Sequence, residues 1–280
     1  MPELKLIYNI VGIGAASGLV FEDQRLFVLS DNSSFLYQFD PASLTLEKIK
    51  LFEDSSENII KKKKPDFEAI ASYHGNLYLF GSGSTKKRKT MVQVDSATKQ
   101  VVATYDLKDL YKAMRKAASI EKDEFNIEGA CFDGKSWLLV NRGNGPLNKN
   151  LIFIIDGIEL TNTNDIQCFE YQLPLINGIR ASFTDAVLIE SKIYFIATAE
   201  NTISTYDDGA VHGSLIGRID RHTMELDFTE KVSDTLKIEG LTLFSESERK
   251  LEFLVCEDND TEALESSIYK LTIDTTALNK

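Results

Sequence analysis

The chain is poor in the residues that build covalent or metal frameworks. Its three cysteines, Cys131, Cys168 and Cys256, are odd in number and widely separated, which excludes a disulfide scaffold and leaves them as small apolar core residues. Its three histidines, His74, His212 and His222, share no ligand spacing, which argues against zinc. A single tryptophan, Trp137, leaves the loops poor in the residue that best serves as a platform for sugar rings. Positive charge is in deficit, with 31 Lys and Arg against 43 Asp and Glu, a net charge of −12. That balance argues against nucleic acid as a partner, because a phosphate backbone needs clustered positive charge. The one basic run, Lys61 to Lys64 before Pro65, reads as solvated loop. No apolar run reaches the length of a membrane span. The first twenty residues lack a basic start followed by an apolar core, so a cytoplasmic protein is expected, or an exported one if a leader has been removed. No stretch is of low complexity, and no linker marks a second domain.

What the chain has instead is a repeat. Residues 126–145, NIEGACFDGKSWLLVNRGNG, read as a short strand, a turn at Asp133-Gly134, a second apolar strand and a polar loop. The same pattern recurs from Ala16, Asp66, Phe183 and Ile238. The second residue of each first strand is Ser17, Glu68, Glu128, Asp185 and Glu239, spaced 51, 60, 57 and 54 residues apart. Each unit continues with an alternating strand ending in Asp (Asp40, Asp95, Asp156, Asp220, Asp274) and then a turn and a fourth strand. Four antiparallel strands repeated at a fixed period make propeller blades, because one blade cannot bury both of its faces. The expected fold is therefore all-β, a single five-bladed β-propeller domain over residues 1–280. The last repeat lacks its outer strand, and Glu3 to Ile10 is strand-like without a partner, so the N-terminal strand is expected to close the ring. Apolar residues at Leu107, Leu110, Tyr111 and Met114 have helical spacing and predict one inserted surface helix over 107–121.

In a propeller the first strand of each blade lines the central channel. Four of the five positions at the start of those strands are carboxylates. Carboxylates about 5 Å apart repel by roughly 3 kcal/mol per pair at an effective dielectric near 20. Either some are protonated or a cation sits among them, and oxygen-only ligands favour Ca²⁺ before Mg²⁺. The expected metal set is Ser17, Glu68, Glu128, Asp185 and Glu239. The competing reading is that these side chains cap backbone N–H groups of the next strand or pair with Lys or Arg. The loops after the second strands reach one face of the ring, near the channel mouth. There Arg88 and Arg142 can hold a phosphate or carboxylate. Glu200, Asp207 and Asp208 can act as general base or carry a second cation. Asp31, Ser82, Asn144, Asp207 and His212 complete the candidate ligand contacts, with Arg142, Glu200 and Asp208 given the catalytic roles. The loop Gly81 to Ser84 has no P-loop spacing, but its N–H groups can face an anion.

The segments KPDFEAIA, GSGST, NIEGACF, NRGN, FTDAVLIESKIYFIATAENT, YDDGAVHGSLIG and KIEGL resemble, across the whole chain, a family of bacterial five-bladed propellers with no assigned function. More distantly, Ser17, Glu68, Glu128 and Glu239 are similar to the pattern of calcium-activated nucleotidases (apyrases). Those enzymes place serine and glutamate side chains around a central calcium and hydrolyse nucleoside di- and triphosphates beside it. The fourth blade departs, reading Ser182-Phe-Thr-Asp185 where that pattern has serines. Phytase-like and lactonase-like propellers are similar at the same level. The reading that follows is a Ca²⁺-binding propeller that hydrolyses phosphorylated or other anionic small molecules, as a monomer without nucleic-acid or membrane partners. The alternatives are a non-catalytic propeller with a structural ion and a ligand- or partner-binding face, and a glycosidase with two facing carboxyl groups.

Overall fold

In the computed structural model, residues 2–160, 165–207, 209–258 and 263–277 are described. Five antiparallel sheets follow one another along the chain. Strand β1 (Glu3–Val11) stands apart from the first of them. Blade one contains β2 (Ala16–Glu22), β3 (Arg25–Ser30), β4 (Phe35–Asp40) and β5 (Thr45–Lys50). Blade two contains β6 (Phe67–Tyr73), β7 (Asn76–Gly81), β8 (Thr90–Asp95) and β9 (Gln100–Asp106). Helix α1 (Lys108–Ala118) leads to blade three, made of β10 (Ile127–Phe132), β11 (Ser136–Asn141), β12 (Asn150–Asp156) and β13 (Ile166–Tyr171). Blade four adds a two-residue strand, β14 (Leu175–Ile176), to β15 (Ile179–Ile189), β16 (Lys192–Asn201), β17 (Ala210–Asp220) and β18 (Leu226–Ser233). Blade five contains β19 (Ile238–Ser247), β20 (Lys250–Glu257) and β21 (Glu265–Asp274).

The ring closes as expected. Strand β1 pairs antiparallel with β21, from Glu3 opposite Thr272 to Val11 opposite Glu265, and supplies the outer strand of blade five. The recurrent Asp has a local cause: its carboxylate accepts N–H groups two or three residues on, in Asx turns that start the outer hairpin. Asp40 accepts from Ala42, Asp95 from Thr98, Asp220 from His222 and Thr223, and Asp274 from Thr276. Asp156 departs and accepts the Ser136 hydroxyl instead.

Between blades, the inner three strands of blades one and three are buried almost without interruption, whereas outer strands such as β5 and β9 are mostly exposed. Blades two and three are joined by Trp137, fully buried among Tyr78, Phe80 and Phe132 with ring centroids 4.9–5.3 Å apart. Helix α1 buries Leu110, Tyr111 and Met114 against this cluster, each such burial stabilising by roughly 1.5–3 kcal/mol. The Tyr111 hydroxyl donates to the Gly81 carbonyl (2.7 Å), and Ser119 ends the helix at φ 53°. The helix thus braces an edge, and none of its residues lines the channel cavity. Among the described residues no helix is long and apolar enough to cross a membrane.

Candidate functional site

One irregularity recurs in all five innermost strands. Pairing with the second strand slips between Ala16 and Gly18, Phe67 and Ala69, Ile127 and Gly129, Phe183 and Asp185, and Ile238 and Gly240. Each slip is a β-bulge that leaves one residue unpaired and re-aims its side chain. The bulged residues are Ser17, Glu68, Glu128, Thr184 and Glu239. The fourth position is therefore Thr184, one residue before the Asp185 that the sequence pattern suggests. Ser17 donates to the carbonyl of Phe67 (2.7 Å), just before Glu68, and Thr184 donates to the carbonyl of Ile238 (2.7 Å), just before Glu239. Asp185 falls at the next position, where the other blades have Gly18, Ala69, Gly129 and Gly240. Neighbouring inner strands approach closely there: a Cβ on Gly129 would stand 2.9 Å from the Ala186 nitrogen. Asp185 is buried with its carboxylate accepting the N–H groups of Ala186 (2.7 Å) and Leu241 (2.8 Å), and it does not line the cavity. It caps backbone across the joint between blades four and five.

Protein cations reach part of the carboxylate ring. Arg142, buried at the end of β11, places Nη1 3.5 Å from both Glu128 and Glu239 and Nη2 2.5 Å from Glu200, while Nε donates to Ser182. Lys237 pairs with Glu239 (3.4 Å) and Asp258 (3.0 Å). Burial pushes Glu128 up to about 8 even though Arg142 opposes the shift. Of the expected metal set, Glu128 and Glu239 thus meet protein cations, Ser17 bonds to backbone, and Glu68 remains. No hydrogen bond or ion pair from the described residues reaches the Glu68 carboxylate. Burial, with Asp66, Glu128 and Asp31 nearby, holds its pKa well above the usual range.

Glu68 forms a group with Asp31 and Asp66. One ligand oxygen from each lies within 4.8 Å of the others, an Asp/Asp/Glu arrangement that can hold a metal ion. Asp31 follows β3 of blade one, whereas Asp66 and Glu68 open β6 of blade two. Asp66 takes the left-handed conformation (φ 58°) that short polar residues tolerate. Its carboxylate is held by Arg88 (2.7 Å), Lys64 (2.9 Å) and the Ser82 hydroxyl. Lys64 also pairs with Asp31, whose carboxyl is pushed up to about 6 chiefly by burial, with Lys64 pulling it down. The basic run before Pro65 is therefore not wholly solvated: Lys64 is buried, and Lys61 also lines the cavity.

These residues line a cavity of about 520 Å³ at one mouth of the channel, within the usual range for small-molecule sites. Among the described residues, eight carboxylates and five basic side chains face it. Asp31, Arg88, Arg142, Asn144, Glu200 and Asp207 are all on its wall, as are Ser17, Glu68, Glu128 and Glu239. Ser82 stands behind Asp66, fully buried. The amides of its loop are used internally, Ser82 N–H by the Asp66 carbonyl and Gly83 N–H by that of Arg88, so the loop forms no anion nest. His212 lies on β17 away from the cavity, and Asp208 is outside the described residues. The blade-four insertion leans over the mouth. The ring of Tyr206 lies under the Lys61 ammonium (4.9 Å) and the Arg88 guanidinium (5.4 Å), and Glu200 accepts the Gly209 N–H (2.6 Å).

Sequence reasoning missed Asp66, Lys64, Lys237 and Tyr206 as site residues. A signal for two of them exists: Lys64 and Lys237 each lie just before the inner strand that carries the channel glutamate.

Fold and site together define a five-bladed β-propeller whose channel mouth carries an ion-paired acidic cavity with one three-carboxylate group. The chain belongs to the DUF6929 family, a family of unknown function, whose match spans residues 12–273. No curated protein matches the sequence. Among solved structures, the chain is similar to glutaminyl cyclase of Myxococcus xanthus, with 12% identity over 97% of each chain and a TM-score of 0.54. It is also similar to the PQQ-bound aldose sugar dehydrogenase of Streptomyces coelicolor, with 10% identity over 97% of this chain and 98% of that one and a TM-score of 0.53. At these identities the likeness concerns the fold alone.

Proposed function

We propose that this propeller binds a divalent cation, Ca²⁺ before Mg²⁺, through Asp31, Asp66 and Glu68, and that it hydrolyses phosphorylated or other anionic small molecules at the channel mouth. The observation that carries the reading is Glu68, a carboxylate on the cavity wall that no hydrogen bond or ion pair from the described residues reaches, beside the carboxylates of Asp31 and Asp66. Three oxygen donors without sulfur or nitrogen suit a hard ion. The hydroxyl of Thr184 at the fourth bulge, where the apyrase-like pattern has serine, supports this reading.

Such an ion supplies Lewis-acid polarisation of a phosphoryl or carbonyl oxygen. The chain's own residues fix the rest. Arg88 and Ser82 hold Asp66 in place, and Arg142 keeps Glu128, Glu200 and Glu239 from repelling one another. Because Arg142 and Arg88 are committed to carboxylates, the anion is held at the ion's side of the cavity and not by these guanidinia. Glu200 is tied to Arg142 and Gly209, so it is poorly placed to take a proton. The same commitment of the arginines favours, as the second reading, a non-catalytic propeller that binds a ligand beside a structural ion. Against glycosidase chemistry, Tyr206 is the one aromatic side chain on the wall among the described residues.

Calorimetric titration of the full chain with Ca²⁺, followed by phosphate release from a panel of phosphate esters and anhydrides, tests both readings. Binding that Glu68→Gln weakens at least tenfold, with Ca²⁺-dependent release, supports the hydrolase; binding without turnover supports the second reading; no binding ends both.

A further inference from the structure

We propose that Lys64 is a tethered counter-ion that gives way when a divalent cation binds, and that its released ammonium then recruits the anionic group of the ligand. The inference rests on the cation reading of the same three carboxylates and adds an order to the two binding events.

Lys64 is buried, and its ammonium contacts Asp31 and, at 2.9 Å, Oδ1 of Asp66, two of the three residues in the carboxylate group. Asp66 is 2% exposed, yet its Oδ1 accepts no hydrogen bond from the described residues: the ammonium is close but not aligned. A metal ion has no such directional requirement and meets that oxygen better. An ammonium and a divalent ion cannot share the same oxygens at contact distance, so one displaces the other.

The other basic side chains have anchors outside the group. Arg142 is held by Glu128, Glu200 and Glu239, and Lys237 by Glu239 and Asp258. Arg88 meets Asp66 as well, but it also donates to the Ser84 hydroxyl and the Lys61 carbonyl, and so stays. Lys64 is tied by the group's own carboxylates, and its four-carbon stem is flexible. A separate observation places a ligand in the same cavity. The Asn144 side chain, nine-tenths buried on the cavity wall, makes no hydrogen bond to the described residues. A polar group so placed is satisfied when a ligand completes the cavity.

Linkage then fixes the signs. Lys64 lowers cation affinity by the fraction of time it holds the carboxylates, and cation and anion each strengthen the binding of the other. Calorimetric titrations with Ca²⁺, and with methyl phosphate on Ca²⁺-saturated protein, test this on the full chain after chelator treatment. Lys64→Met is expected to bind Ca²⁺ at least tenfold more tightly than wild type and methyl phosphate at least fivefold more weakly. Lys64→Arg keeps the charge and grips both carboxylates, so it is expected to bind Ca²⁺ more weakly than wild type. It serves as the measurement if Lys64→Met fails to fold. Ca²⁺ affinity unchanged in Lys64→Met, or raised in Lys64→Arg, overturns the displacement while leaving the cation site standing. Unchanged methyl phosphate affinity in Lys64→Met overturns the recruitment. Absence of Ca²⁺ binding by folded wild type and both variants ends the inference together with the cation reading.

Discussion

Thr184 in blade four stands where Ser17 stands in blade one: each is the bulged residue of an innermost strand, and each donates its hydroxyl to the carbonyl just before the next blade's channel glutamate. The hydroxyls tie neighbouring blades at the axis and set the height of Glu68 and Glu239. The Ile238 carbonyl has a second donor, Thr198 (3.0 Å). Thr184→Val and Thr198→Val are therefore each expected to cost about 0.5–1.5 kcal/mol, the usual net worth of one hydrogen bond. The double variant is expected to exceed their sum, because only then does a buried carbonyl lose both side-chain donors. Urea unfolding of the four proteins measures the coupling; strict additivity would show that the two hydroxyls do not share the carbonyl's satisfaction.

Arg142 is the cation that three hub carboxylates share. Arg142→Met leaves Glu128, Glu200 and Glu239 buried without it and is expected to destabilise by about 3–5 kcal/mol, as breaking a buried ion pair does. A variant within 1 kcal/mol of wild type in chemical denaturation, roughly the worth of a surface pair, would remove Arg142 from this role.

Two carboxylates give opposite pH slopes. Glu128 in the folded chain is raised to about 8 from an ordinary 4.5, mainly by burial. The folded state then holds a proton that the unfolded chain has lost, so this contribution is complete below 4.5 and disappears as pH rises to about 8. Glu128→Gln is expected to flatten the decline of stability across that window.

Asp133 behaves the other way. Burial raises its pKa, but the N–H groups of Ser136 and Lys135 and the Arg221 guanidinium outweigh it, leaving the carboxyl below its ordinary value. Its contribution is present above the ordinary value and lost as pH falls through the depressed one. Arg221 reaches Asp133 from the turn of blade four, 2.7 Å away, so Arg221→Ala is expected to weaken the joint between blades three and four. Acid titrations of stability should show a shallower loss in the variant than in wild type; identical acid limbs would count against the tie.

Removal of residues 1–11 takes away β1 and exposes the edge of β21 in blade five. Unpaired edges template association. Size-exclusion chromatography of the truncated chain is expected to show dimers or larger species and a lowered Tm. A monomer with unchanged Tm would mean that the closing strand is dispensable.

The sequence by itself determined the blade count, the four-strand unit, the closing strand and the inserted helix. All of these follow from local periodicity and turn chemistry: alternation within strands, Asp at the hairpin corners, and apolar residues at helical spacing from Leu107 to Met114. It also indicated that acidic side chains gather at the axis. It did not decide which of two adjacent residues, Thr184 or Asp185, faces the channel, because a bulge shifts the facing by one residue without changing the hydrophobic pattern. Nor did it decide how the carboxylates are compensated. Arg142 lies 97 residues from Glu239, and Lys64 lies 33 from Asp31. Only the packing of blades around the axis brings such side chains within reach of one another. Charge compensation in a buried hub depends on distances of a few ångströms in three dimensions, and separation along the chain carries no information about them.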